Sequence, residues 1–247
     1  MTLTLYHAWA SSASRRVRLC LEEKGLEWDG HVVNLGKLEQ HSDAYKKINP
    51  LGVVPTLVHD GRPLHESGTI CEYLDEVFAA PPLRPAAPYD RALVRNWIRH
   101  IDGLIQNLVV FNWKHSLQKV AQTWSDEELE AHIAKIPSEV RRETWRRVAR
   151  RPFTREEEDA ARATLVAQLL DRMEAACADN GGWLVDGAYS IADIAAVPFI
   201  KRIDEEIAPE EMKVDRHPHV AAWWEAVTAR PAYGRARLGP FVEAHDE

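Results

Sequence analysis

Two short stretches carry residue types that could do chemistry. In Leu51-Gly-Val-Val-Pro-Thr-Leu57, Pro55 sits between a β-branched run and another apolar pair. A proline there cannot donate to a sheet ladder, so it belongs at an edge, a bulge or a cis turn. A cis Val54-Pro55 bond would turn the Val54 N–H and C=O outward, free to pair with an extended peptide. A little further on, Glu66-Ser67 opens an apolar-periodic run of Ile70, Tyr73, Leu74 and Val77. An acidic-hydroxyl pair at a helix N-terminus caps the helix, and the free N–H groups there also hold a carboxylate. A reader of peptide backbone beside a reader of carboxylate suits a small anionic peptide better than a sugar, a nucleotide or a metal.

The elements that must position these residues follow from local pattern. Leu3–Tyr6 alternates as a short strand, a helix starts at Ala13 or Ser14 and ends at Gly25, and Trp28–Val33 reads as a second strand. Val54–His59 and Arg62–Leu64 flank Asp60-Gly61, a two-residue hairpin signal. Strand, helix, strand, hairpin and helix make an α/β layer pattern. Ala79–Pro88 is rich in alanine and proline and breaks both periods. Beyond it the period is helical over Asp90–Leu117, Ser125–Ile136, Arg155–Asp179, Ser190–Glu205 and His217–Ala229. The chain thus divides into an α/β domain (1–80), a linker (81–89) and an all-α domain (90–247).

Composition narrows the function. A net charge of -7 over 247 residues disfavours a general role on nucleic acid or acidic membranes. No apolar run approaches the roughly 20 residues of a membrane span, and the chain enters its first strand without a signal-peptide pattern. Cys20, Cys71 and Cys177 are far apart and odd in number, which gives no disulfide framework and points to a reducing cytoplasm. His217-Pro-His219 is a weak metal pattern better read as a helix start with Pro218 in the first turn, so no metal is expected. The basic run Arg141–Arg151 could bind RNA or an acidic ligand. Glu127, Glu128, Glu130 and Glu156–Asp159 flank it, which favours a solvated, mutually paired helical face, one that can also lie over a cleft.

With these residues in view, the chain resembles the glutathione transferases. The first domain is similar to their thioredoxin-like N-terminal domain. Leu3-Thr-Leu-Tyr6, Ser11-Ser-Ala-Ser14 and Arg15–Gly25 match the family's first strand, catalytic loop and first helix. Asn49-Pro50, Gly52-Val-Val-Pro55 and Glu66-Ser67 match its cis-proline loop and its γ-glutamyl contact. Tyr189-Ser-Ile-Ala-Asp-Ile194 matches the capping box of its helical domain. Gln40-His-Ser-Asp43, Lys46-Lys-Ile-Asn-Pro50 and the segment Ser125–Arg151 resemble bacterial β-etherases, glutathione transferases that cleave aryl ethers in lignin-derived compounds.

The resemblance implies glutathione as cosubstrate. Its thiol has the pKa of a free cysteine, about 8.5, so the enzyme must stabilise the thiolate. A hydroxyl or N–H donor at a helix N-terminus does this. Ser11, Ser12 and Ser14 are the candidates: spacing from Tyr6 favours Ser11, the etherase-like pattern favours Ser14, and one serine of the three can simply be the N-cap. Tyr6 is read as packing under the loop. Serine stands where some relatives carry a catalytic cysteine, which argues against thiol-disulfide chemistry. Val54 and Pro55 are expected to pair with the cysteinyl backbone, Glu66 and Ser67 to hold the γ-glutamyl end, and Gln40, His41 and Lys37 to reach the glycyl carboxylate. Trp9, Phe111, Asn112 and Trp113 are the substrate-pocket candidates; aromatic walls there, with Trp124 and Trp145, would suit a flat aromatic electrophile, whereas core packing explains each tryptophan equally well. Ser190 and Asp193 are read as structural.

The expected activity is therefore attack of glutathione thiolate on a hydrophobic aromatic electrophile, with β-aryl ether cleavage in the etherase case. Ala13, and Arg15-Arg16, depart from the etherase-like pattern and keep a zeta-like glutathione-dependent isomerase as a rival. A non-catalytic hydrophobic-ligand binder of the same fold is the rival from another class. The family also implies a homodimer, for which apolar residues in Cys71–Phe78 could serve.

Overall fold

The computed structural model describes residues 2–113 and 118–239. The end of the expected helix Asp90–Leu117, residues 114–117, lies outside them, as do residues 240–247. Residues 2–77 form a four-stranded sheet in the order β2-β1-β3-β4, with helices packed on it. β1 (Leu3–His7) pairs in parallel with β2 (Asp29–Val32) through the crossover helix α1 (Ser12–Glu23), and antiparallel with β3 (Thr56–His59). β3 turns into β4 (Arg62–Leu64) at Asp60-Gly61, where φ is 47° and 79° at the two turn residues, the conformation that a twisted two-residue hairpin requires. β3 starts at Thr56 rather than Val54, directly after Pro55, which has no N–H to give a sheet ladder. α1 starts earlier than expected, at Ser12, because the Ser11 side chain caps it by accepting the Ser14 N–H. It ends where the Gly25 N–H reaches the Glu22 carbonyl and the Leu26 N–H the Leu21 carbonyl. The short α2 (Asp43–Lys46) leads into the cis-proline loop, and α3 (Ser67–Val77) follows β4.

From α4 (Pro88–Gly103) onward, every described element longer than a bridge is helical: α5 (Ile105–Asn112), α6 (Gln118–Thr123), α7 (Asp126–Ile133), α8 (Glu139–Arg150), α9 (Arg155–Leu165), α10 (Asp171–Asp179), α11 (Ile191–Arg202), α12 (Pro218–Thr228) and α13 (Pro231–Arg235). α11 is buried along its whole length. The expected Ser190/Asp193 capping box starts it, and Asp193 does more than cap. Fully buried, it also accepts hydrogen bonds from the Leu184 N–H and the Trp223 indole at 3.2 and 2.8 Å.

Two apolar cores result. The larger joins β1, α1 and α3 to α4, α9, α10, α11 and α12. The smaller lies between α6, α7 and α8, where Trp113 and Trp145 meet edge-on at 4.6 Å, and it takes Leu38 from the first domain.

One guanidinium links the elements that converge between the domains. Arg16 on α1 is 2% exposed. Its Nη1 donates to Ser67 Oγ at 3.0 Å and to Asp102 Oδ1 on α4 at 2.7 Å, and its Nη2 to the Ala195 carbonyl on α11 at 3.5 Å. Beside it, α3 and α4 touch so closely that a Cβ on residue 68 would stand 2.6 Å from Ile98 Cγ2, which only glycine avoids.

His217 stands at the N-cap position of α12, with Pro218 in its first turn, so His217-Pro-His219 starts this helix as its pattern predicts. Nδ1 faces the Glu211 carbonyl at 2.8 Å and Nε2 the Asp171 carboxylate at 3.0 Å. An imidazolium donates to both. Burial disfavours that charge, but the Asp171 and Glu211 contacts outweigh it and raise the pKa above 6.5.

Two outcomes are predicted. Asp102→Ala leaves the buried Arg16 short of its carboxylate and should cost about 1.5–3 kcal/mol in urea denaturation; a variant as stable as wild type would contradict the linking role. For His217, the native pKa exceeds the unfolded one. Its contribution is complete below pH 6.5 and is lost as pH rises through the native value. Wild-type stability should therefore fall more steeply than that of His217→Gln as pH is raised above 6.5, and equal slopes would count against it.

Candidate functional site

A cleft opens where the cis-proline loop, the start of α3 and the helical domain meet. Ala13, Arg16, Val53, Val54, Pro55, Glu66 and Ser67 line it from the first domain, and Asp102, Ile105, Arg141 and Phe199 from the second. The loop is held from behind. Asn49 Nδ2 and the Tyr45 hydroxyl both donate to the Val53 carbonyl, at 2.8 and 2.7 Å, and both meet Thr56 Oγ1. Among the described residues neither the N–H nor the C=O of Val54 has a hydrogen-bond partner, the arrangement a docking peptide backbone needs.

Glu66 precedes α3 with φ 66° and ψ 111°, unusual for a residue with a side chain. Such strain persists where surroundings over-determine it, and it clusters at functional sites. Here the Glu66 carboxylate meets the cleft beside Ser67, whose Oγ already accepts from Arg16. The first N–H groups of α3 lie at the same place, a ready site for a carboxylate.

The three serines separate. Ser14 is fully buried and its Oγ accepts the Ala8 N–H at 3.3 Å, so it holds the loop together. Ser11 is half-buried; its Oγ accepts the Ser14 N–H at 3.2 Å, which leaves its O–H proton to donate outward. Ser12 is 9% exposed, and its hydroxyl has no hydrogen-bond partner among the described residues. Tyr6 stacks on His31, with ring centroids 4.9 Å apart.

Gln40 and His41 are 9% and 5% exposed, and Gln40 Oε1 and His41 Nδ1 have no partner among the described residues. Burial, reinforced by Arg141 and Lys46, lowers the His41 pKa to about 4, so the ring is neutral near pH 7. Lys37 is exposed on a turn and does not line the cleft.

The aromatic candidates need correction. Phe111 is 1% exposed in the larger core, and Trp113 is 2% exposed in the smaller, against Trp145. Asn112 is tied up accepting from Arg202 at 2.6 Å. Trp9 stacks with the guanidinium groups of Arg18 and Arg237, 4.7 and 4.5 Å from its ring centroid. None of the four lines the cleft. Its apolar wall is instead Ala13, Ile105 and Phe199, residues with no local signal in the sequence beyond a helical apolar period. Arg16 and Asp102 were missed as a pair because 86 positions separate them. The basic run behaves as expected with one exception. Arg142, Arg146, Arg147, Arg150 and Arg151 pair with Glu139, Glu130, Glu157, Asp126 and Glu157, whereas Arg141 turns into the cleft. Among the described residues, no group of three or more His, Cys, Asp or Glu could hold a metal ion, and no helix is long and apolar enough to cross a membrane.

Known proteins match both the sequence and this arrangement. Residues 5–82 match the family described as Glutathione S-transferase, N-terminal domain, and residues 134–231 match Glutathione S-transferase, C-terminal domain. The chain is 37% identical to Protein LigF of Sphingobium sp. (strain NBRC 103272 / SYK-6) over 241 residues, 94% of this chain and 91% of that protein. The crystal structure of Beta-etherase LigF from Sphingobium sp. strain SYK-6 superposes with a TM-score of 0.86 at 36% identity, covering 96% of this chain and 98% of that one. Maleylacetoacetate isomerase of Dictyostelium discoideum is 40% identical over 106 residues, 42% of this chain and 48% of that protein. A thioredoxin-like first domain, an all-α second domain and this similarity along nearly the whole chain make the protein a member of the glutathione S-transferase family, with glutathione as its cosubstrate.

Proposed function

We propose that the chain cleaves β-aryl ethers with glutathione. The observation that carries this reading is the extent of the likeness to the LigF β-etherase, which runs through both domains, whereas the isomerase likeness covers less than half of the chain. In this reading the tripeptide lies along the cis-proline loop. Its cysteinyl backbone pairs with Val54 beside Pro55. Its γ-glutamyl amine meets Glu66 and its γ-glutamyl carboxylate meets the Ser67 hydroxyl and the N–H groups opening α3. Gln40 and His41 face its glycyl end, and Lys37 takes no part.

The sulfur then falls at the start of α1. Two effects hold it as thiolate: the partial positive charge of a helix N-terminus, and a hydroxyl donor. Ser11 fits the donor role because its oxygen is fixed by the Ser14 N–H while its proton is left over. Ser12 lacks that anchoring and Ser14 is buried. Trp9, Phe111, Asn112 and Trp113 are replaced as the electrophile's wall by Ile105 and Phe199, which press an aromatic ring toward the sulfur. The thiolate attacks the aryloxy-bearing carbon next to the carbonyl and the C–S bond forms. The C–O bond breaks, its electron pair leaves with the aryloxide, and water supplies the proton that makes the phenol.

A zeta-like isomerase is the second reading, kept by the local identity to maleylacetoacetate isomerase and by Arg15-Arg16. We also retain the division at residues 81–89, a cytoplasmic setting and a homodimer as parts of this proposal. Val77, 44% exposed, is the large apolar residue that the Cys71–Phe78 stretch offers for a dimer, since Cys71 and Leu74 are buried.

The test is product analysis with glutathione and a β-aryl ether model ketone. Phenol and glutathione thioether should appear in equal amounts, and Ser11→Ala should lower kcat/KM by about 10- to 100-fold, the loss of one good transition-state hydrogen bond. Glutathione binding without phenol release would contradict ether cleavage and favour the isomerase or a non-catalytic binder. Full activity in Ser11→Ala, with loss in Ser12→Ala, would move the donor role to Ser12.

A further inference from the structure

We infer that Arg141, carried by α8 of the helical domain, clamps the glycyl carboxylate of glutathione. The inference rests on the placement of the tripeptide proposed above. Four observations carry it. First, the other arginines of the run 141–151 are paired with carboxylates, while the Arg141 guanidinium makes no hydrogen bond or ion pair among the described residues. Secondly, Arg141 lines two adjoining hollows that share Val53 and Glu66, the second of them completed by Leu51, Pro137 and Ser138. Thirdly, Arg141 lines both hollows together with Glu66, whose charge favours the guanidinium cation, and the Arg141 charge acts in turn on His41.

The fourth observation is one of charge. A glycyl carboxylate at Gln40 and His41 would find no unpaired cation of the first domain lining the cleft. Gln40 is neutral, and His41 is neutral near pH 7. Lys37 is off the cleft, and Lys46 is paired with Asp43 at 3.1 Å. Arg16 is committed to Asp102 and Ser67. The buried Gln40 and His41 side chains keep polar atoms without partners at this place, as a ligand site does. A guanidinium supplies what they lack, since its fork matches a carboxylate. The contact also gives α8 a purpose at the cleft. Its cap, Ser138, and the preceding Pro137 sit against the cis-proline loop, where a Cβ on residue 52 would stand 3.2 Å from Pro137 Cδ.

The test is a cycle between protein and ligand, with binding read by calorimetry. Wild type, Arg141→Ala and Arg141→Lys are each titrated with glutathione and with its glycyl monoethyl ester. The Arg141 guanidinium has no hydrogen bond among the described residues to lose, so the variants should fold, and thermal melting verifies this. Arg141→Ala should weaken glutathione binding by about tenfold or more while changing ester binding less than about twofold, and Arg141→Lys should fall between. Equal weakening of both ligands, or no weakening of either, would overturn the assignment. Wild-type protein that binds neither ligand would overturn both the assignment and the tripeptide placement beneath it.

Discussion

The burial of Arg16 constrains the rest of the structure. A guanidinium removed from water must have its charge and its N–H groups answered by protein, or the fold pays the desolvation cost. The answers come from Ser67 at the start of α3, Asp102 on α4 and the Ala195 carbonyl on α11. These three elements and α1 itself all border the cleft, which the cis-proline loop, α5 and α8 complete. Their relative placement is therefore not left to apolar packing, which is non-directional. The directional bonds of one side chain set where the start of α3 points, and with it where Glu66 and Ser67 stand relative to the N-terminus of α1.

A second unit is built on this frame. α6, α7 and α8 have a core of their own, filled by Trp113, Trp145 and several aliphatic side chains, and they reach the first domain through Leu38. Large aromatic side chains suit this use because each buries much area with few rotatable bonds. Their cost is that they are spent on packing. Trp113, Trp124 and Trp145 support the unit beside the cleft, and the cleft wall itself includes Ala13, Ile105 and Phe199. Changes in the small core would act on the site indirectly, by shifting the start of α8.

What was legible in the sequence was local. The Asp60-Gly61 hairpin, the serine-rich cap of α1, the Ser190/Asp193 box, the cis-proline loop and the Glu66-Ser67 helix start each depend on a few neighbouring residues. Pattern reads such features well. The pairing of Arg16 with Asp102, the convergence of Phe199 and Ile105 on one cleft, and the turn of Arg141 away from its paired neighbours depend on how distant helices pack. No local period encodes that packing. Phe111 and Trp113 were misplaced for the same reason: an aromatic residue on an amphipathic helix faces either a core or a cleft, and periodicity treats the two alike.

The central claim is that the start of α1, through the Ser11 hydroxyl, holds the sulfur of glutathione as a thiolate within a site framed by Arg16. The most direct measurement is a pH titration of the ultraviolet thiolate absorbance of protein-bound glutathione, in wild type and in Ser11→Ala. The account predicts a bound-thiol pKa well below the free value of about 8.5 in wild type and a return toward it in the variant. A bound thiol that titrates near the free value in wild type, or one equally depressed without the Ser11 hydroxyl, would contradict it.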